Sequence, residues 1–112
     1  MIDISVLTGE RLTYISRAAD MLVLSFGDDI CRNYRGEWLS RYALHCQCAW
    51  RITDGHGKIV LARVDIFSPP EGEDYTLDFD WDVRGNNAFD RKSVEILSGG
   101  EVTVTAARLV NG

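Results

Sequence analysis

Residues Tyr42–Phe67 read YALHCQCAWRITDGHGKIVLARVDIF, two runs of alternating apolar and polar residues on either side of Asp54-Gly55-His56-Gly57. Alternation of this kind around a glycine-containing turn marks a half-buried β-hairpin. On the first run Tyr42, Leu44, Cys46, Cys48, Trp50 and Ile52 share one face, and Ala43, His45, Gln47, Ala49, Arg51 and Thr53 share the other. A three-residue turn at Gly55-His56-Gly57, with Asp54 opposite Lys58, sets Ile52 beside Val60, Trp50 beside Ala62, Cys48 beside Val64 and Cys46 beside Ile66. Slipping by one residue would pair Cys48 with Arg63 and bury charge, so the pattern selects this register.

Working outward, Arg11–Arg17 and Met21–Phe26 are rich in strand formers and are separated by Ala18-Ala19-Asp20, which predicts a first hairpin. The second of these runs is almost wholly apolar, as in a central strand covered on both faces, and Gly27-Asp28-Asp29 ends it. Residues 30–40 show no period and read as a connecting loop. Beyond the central hairpin, Ser68-Pro69-Pro70-Glu71-Gly72 interrupts the sheet, since consecutive prolines cannot donate ladder bonds. Tyr75–Val83 then alternates again, with Leu77, Phe79, Trp81 and Val83 inward and Asp78, Asp80 and Asp82 outward, and is expected to be a strand.

Ala88–Leu97 suits a short helix, with Asn87 as N-cap, Asp90 at the third helical position, Gly99 just past the end, and Phe89, Ile96 and Leu97 on one face. The competing reading is a strand, in which Val94 and Ile96 alternate with Ser93 and Glu95; the helix is preferred for its caps. Glu101–Leu109 is expected to be a β-branched final strand, followed by the hairpin signal Asn111-Gly112. The expected fold class is mainly β (α+β), a single antiparallel bent sheet or partial barrel with one short helix, and residues 1–112 are read as one domain.

With 112 residues, 46% of them hydrophobic and 26% charged, the chain has the profile of a folded protein with a single core. No apolar run reaches the ~20 residues of a spanning helix, and no basic-then-apolar leader is seen, so no membrane partner and a cytoplasmic location are expected. Three cysteines, Cys31, Cys46 and Cys48, do not make a disulfide framework and are read as reduced thiols. A net charge of −5 argues against nucleic acid as a partner. Charge is also uneven: residues 71–82 hold six of the 17 acids and none of the 12 bases, so 11 acids meet 12 bases elsewhere.

Arg17-Ala18-Ala19-Asp20-Met21-Leu22, Tyr42–Ile52 and Phe79-Asp80-Trp81-Asp82-Val83 together resemble a family of small bacterial proteins with no established activity. The similarity spans most of the chain. Members of that family continue past the position of Gly112 with further strands, which would supply the partner of the Asn111-Gly112 turn, and many carry Pro at the position of Ala49. The resemblance implies a bacterial cytoplasmic origin and no catalytic residue.

Functional chemistry is sparse. There is no Gly-x-Ser-x-Gly elbow, P-loop, Gly-x-Gly-x-x-Gly or His-Glu-x-x-His, and no catalytic residue or cofactor is assigned. Cys46 and Cys48 face away from His45 on a strand, so the three do not converge on a metal, and both cysteines are read as small buried apolar residues. Asp78, Asp80 and Asp82 would stand about 7 Å apart, too far to share one divalent cation directly. Two surfaces remain. Glu71, Glu73, Asp74, Asp78, Asp80 and Asp82 form an acidic face suited to a basic protein partner, an inhibitor-like or immunity-like role. His45, Gln47, Arg51, Arg63 and Asp65 form a polar sheet face that, if it lined a cleft, would bind a small ligand. A free C-terminal edge strand would invite pairing with a second copy of the chain.

Overall fold

The computed structural model describes residues 4–32 and 34–108. A 3-10 turn at Ile4–Leu7 leads into β1 (Arg11–Ala18), β2 (Met21–Arg32) and β3 (Trp38–Cys46), then a short pair β4 (Arg51–Thr53) and β5 (Ile59–Ala62). A 3-10 helix at Arg63–Phe67, a long irregular segment, α1 (Ala88–Ser98) and β6 (Val102–Thr103) complete the order. The principal sheet is antiparallel with strand order β3-β2-β1-β6, and β4 and β5 form a second, two-stranded sheet. The fold class is the one expected, mainly β with one helix; among the described residues the sheets do not close into a barrel.

The first hairpin turns on two residues: Ala18 faces Met21, and Ala19 at the first central position has φ 52°. A positive φ at that position alone is the pattern of a type II′ turn, whose twist suits the strands it joins. Along β2, Leu22, Leu24 and Phe26 alternate into the core, and a bulge in β1 resets its period so that both Leu12 and Ile15 join them. Opposite, Leu44 and Cys46 of β3 are half-buried on the same side. The other face, with Val23 between Ser16 and His45, stays partly exposed, so the central strand is covered on one face only, not both as predicted.

β2 also continues past Gly27, which takes φ 78° at an irregularity between Phe26 and Asp29. A Cβ added there would sit 3.0 Å from the Arg41 Cβ and 3.1 Å from Glu10 Oε2. Glycine therefore bends the strand where a side chain would end it, and the predicted loop 30–40 shrinks to the short connection between β2 and β3.

The central run divides in two. Residues through Cys46 pair with β2, whereas pairing with β5 begins at Arg51, so residues 47–50 form a bend between two sheets in place of one long strand. At the end of the bend the Trp50 indole meets Phe89 of α1 edge to face at 5.9 Å. At the turn, Asp54 N–H donates to the Lys58 carbonyl at 2.9 Å and Thr53 faces Ile59, as predicted. A bulge then sets Ile52 against Leu61, and Arg51 against Ala62. The bulge sends Leu61 into the core in place of the smaller Val60. Past Ala62 the expected strand gives way to the 3-10 helix, because the Asp65 carboxylate accepts from Ala62 N–H at 2.9 Å and competes with a ladder. Val64 consequently faces solvent and Ile66 is wholly buried.

α1 matches its expected caps. Asn87 Oδ1 accepts from Asp90 N–H at 2.8 Å, and Gly99 N–H closes the other end on the Glu95 carbonyl at 3.2 Å. Phe89 is buried and Ile96 and Leu97 pack behind it on the core. The expected strand Glu101–Leu109 contracts to Val102–Thr103, with further bonds between Val104 and residues 9 and 10; Leu109 and the Asn111-Gly112 turn lie outside the described residues. The sheet's two margins are thus unequal, two residues of β6 against nine of β3.

A non-glycine residue in the left-handed region costs about 1 kcal/mol. Ala19→Gly is expected to stabilise the domain by about 0.5–1 kcal/mol in urea unfolding; an unchanged or lower midpoint would contradict the turn geometry.

Candidate functional site: the acidic loop and its arginine anchor

The expected strand Tyr75–Val83 is not a strand. It is a succession of tight turns, closed by bonds from Glu73 N–H to Pro70 O (3.0 Å), Phe79 N–H to Thr76 O (3.1 Å), Val83 N–H to Asp80 O (3.3 Å) and Asn86 N–H to Val83 O (3.1 Å). Side chains of the same segment supply the competing partners. Asp80 Oδ1 accepts from Asp82 N–H at 3.0 Å, the Thr76 hydroxyl donates to Asp78 at 2.6 Å, and Asn86 Nδ2 donates to the Asp80 carbonyl at 2.9 Å. Asp, Asn and Thr offer a backbone exactly such local bonds as alternatives to a ladder, which is why a period of two in this composition did not make a strand.

Only part of the apolar set turns inward. Trp81 packs edge to face on Phe67 at 4.9 Å, and Phe79 is half-buried under Tyr75 at 5.5 Å. Leu77 is fully exposed and Val83 is exposed. The carboxylates do face solvent, but not as a flat row: Glu73 pairs with Arg91 at 3.1 Å and Asp82 with Arg17 at 3.2 Å. A depression of about 260 Å³ opens within the loop, lined by Pro70, Glu73, Asp74, Asp78 and Phe79 among others.

The loop is tied to the core by Arg17, a residue that the sequence reading did not single out. From β1, its Nε and Nη2 grip both oxygens of Asp90 at 2.9 and 3.1 Å. Nη1 reaches Asp82 Oδ1 at 3.2 Å and the Ala19 carbonyl at 3.0 Å, while Nη2 also reaches the Trp81 carbonyl at 3.1 Å. The guanidinium lies 5.7 Å from the centre of the Trp81 ring, and its side chain is only 7% exposed. Every N–H of the guanidinium fork is used. The bidentate bond with Asp90 holds the Arg17 pKa above its ordinary value, outweighing the burial that opposes it. Asp90 Oδ2 accepts in addition from Gly85 N–H at 2.8 Å, so one carboxylate joins strand, loop and helix N-terminus. One signal was available: Arg17 lies two residues from Ile15, on the strand face that enters the core, and a cation there requires carboxylates around it.

The second predicted set is dispersed. His45 is exposed on the outer sheet face opposite Val23, and Arg51 is exposed on β4. Gln47 and Arg63 meet around Asp20, donating to its two oxygens at 2.8 and 3.4 Å. Asp65 is 8% exposed and pairs with Lys92 at 3.0 Å, with no bond to the side chains of the other four among the described residues. Neither the loop depression nor an open cleft of about 340 Å³ beside Tyr14, Arg17, Arg84 and Leu97 is lined by any of the five.

The cysteines also differ from expectation. With the strand ending at Cys46, that thiol is half-buried and Cys48 is exposed, their sulfurs 3.2 Å apart. Among the described residues, no three His, Cys, Asp or Glu side chains are grouped to hold a metal ion, and no helix is long and apolar enough to cross a membrane. Compared with known proteins, the chain matches no family model, no curated protein and no solved structure.

Removing one partner of a shielded ion pair strands the other, at a cost of about 3 kcal/mol. Arg17→Ala is expected to lower stability by about that amount and to expose residues 71–82 to limited proteolysis before the rest of the chain; unchanged cleavage of the loop would show that Arg17 does not hold it.

The Thr76 hydroxyl holds the Asp78 carboxyl below its ordinary range. Because the folded value lies below the unfolded one, about 3.9, this contribution is complete above that pH and fades as pH falls through the lower, folded value. An NMR titration should place the Asp78 midpoint below that of an unstructured aspartate, and Thr76→Val should raise it; coincident midpoints in the two proteins would rule out the hydroxyl as the cause.

Proposed function

We propose that this chain is a non-enzymatic binding protein whose acidic loop docks a basic protein partner, in an inhibitor-like or immunity-like role in a bacterial cytoplasm. The observation that carries the reading is the fully exposed Leu77, set with exposed Tyr75 among Asp74, Asp78 and Asp80 on a loop fastened at its far end by Arg17. An exposed apolar side chain in a stretch of carboxylates has the make-up of an interface anchor: the carboxylates steer a cationic partner and the leucine is desolvated on contact. The depression lined by Asp74, Asp78 and Phe79 fits a lysine or arginine side chain, whose stem would lie on the ring while its charge meets the carboxylates. Local turns and the arginine anchor supply preorganisation, so less ordering cost falls on association.

A partner recovered by co-purification and identified by mass spectrometry provides the test. Asp74→Asn, Asp78→Asn and Asp80→Asn together are expected to slow association about tenfold at low salt and to flatten its salt dependence, with thermal unfolding little changed. Leu77→Ala is expected to weaken equilibrium affinity about tenfold, mainly through faster dissociation. Association rates and affinities equal to those of the unaltered chain would overturn the assignment.

A further inference from the structure

We propose that Cys46 and Cys48 form a dithiol site that reacts with low-molecular-weight disulfides and closes to an intramolecular disulfide at the bend between β3 and β4. In a continuous strand, residues two apart have Cα atoms about 6.7 Å apart, near the upper end of what a disulfide spans. Here the strand ends at Cys46, and the change of direction brings the sulfurs to 3.2 Å, with Cys46 Sγ also directed at the Cys48 carbonyl at 3.8 Å. The residue between them is tethered: Gln47 donates to Asp20, which Arg63 also engages. The pair is consequently held at one edge of the domain instead of being left on a free loop.

The two thiols have unequal access. Cys48 is exposed, whereas Cys46 is half-buried and packs against the core. Burial pushes the Cys46 thiol pKa up, a trend that the nearby Arg63 cation partly opposes. The order of steps follows from that asymmetry. The Cys48 thiolate attacks one sulfur of a small disulfide RS–SR, forming a Cys48–S–S–R bond and expelling RS⁻. Cys46 then gives its proton to solvent and attacks the Cys48 sulfur, forming the Cys46–Cys48 bond and expelling the second RS⁻. The protein dithiol loses two electrons and two protons, and RSSR becomes two RSH. His45 points to the opposite sheet face, so this chemistry belongs to two sulfurs without a third ligand.

The test uses the full chain and oxidised glutathione. Cleavage after Arg41 and Arg51 leaves both cysteines on one peptide, Tyr42–Arg51, separate from Cys31. After oxidation this peptide should be lighter by two hydrogens, carry no glutathione and resist alkylation, and dithiothreitol should restore two alkylatable thiols. Cys46→Ser should trap Cys48 as a lasting glutathione adduct, and Cys48→Ser should slow adduct formation at the remaining thiol of this pair at least about tenfold. The assignment is overturned if the peptide of the unaltered chain keeps both thiols or a stable glutathione adduct, if the bridge forms between two chains, or if the two single variants react at equal rates. The peptide result on the unaltered chain stands even where a serine variant fails to fold.

Discussion

A single guanidinium, that of Arg17, fastens the first hairpin, the acidic loop and the start of the helix to one another. It enters the core face of the sheet beside Ile15, where an unpaired cation would be costly, and the surrounding chain is folded so as to satisfy it. Asp90 comes from the first turn of α1, Asp82 and the Trp81 carbonyl from the acidic loop, and the Ala19 carbonyl from the turn of the first hairpin. Helix, loop and sheet are thus located relative to one another by hydrogen bonds with directional geometry, while one apolar core, to which Leu22, Phe26, Leu61, Ile66 and Phe89 all contribute, supplies the burial.

The second organising feature is the division of the central run at residues 47–50. Because the two halves pair with different sheets, Trp50 turns onto the helix and Leu61 and Ile66 fill the space below it, an arrangement that one long hairpin would not have provided. The cost is local: an exposed Cys48 and a Trp50 Nε1 that is buried without a hydrogen-bond partner in the structure. The polar residues once aligned on a single face are scattered by the same division, with His45 on one sheet, Arg51 on the other and Asp65 turned to Lys92.

How much of this was legible in the sequence depended on the range of the interactions involved. The helix was legible, against a competing strand reading of Val94 and Ile96, because its determinants are local, Asn87 bonding to Asp90 and Gly99 closing the end. The Asp54–Lys58 turn was legible for the same reason, but the bulge beside it was not, since it reflects the space available to Leu61 in the assembled core. Residues 75–83 misled because a period of two describes both a strand and a run of turns; the Asp and Thr side chains that decide between them were visible, while the lack of a pairing strand was not. For the candidate site, the acidic residues were identified from charge alone, yet their shape and their fastening by Arg17 depended on partners 65 and 73 residues away in sequence.

Those same separations impose an order on the nascent chain. A ribosome delivers β1, β2 and β3 before Asp82 and Asp90, so the acidic loop is fastened only once residue 90 has emerged. Until then Arg17 waits uncompensated on a half-built sheet, and residues 71–82 lack the anchor that gives them their shape.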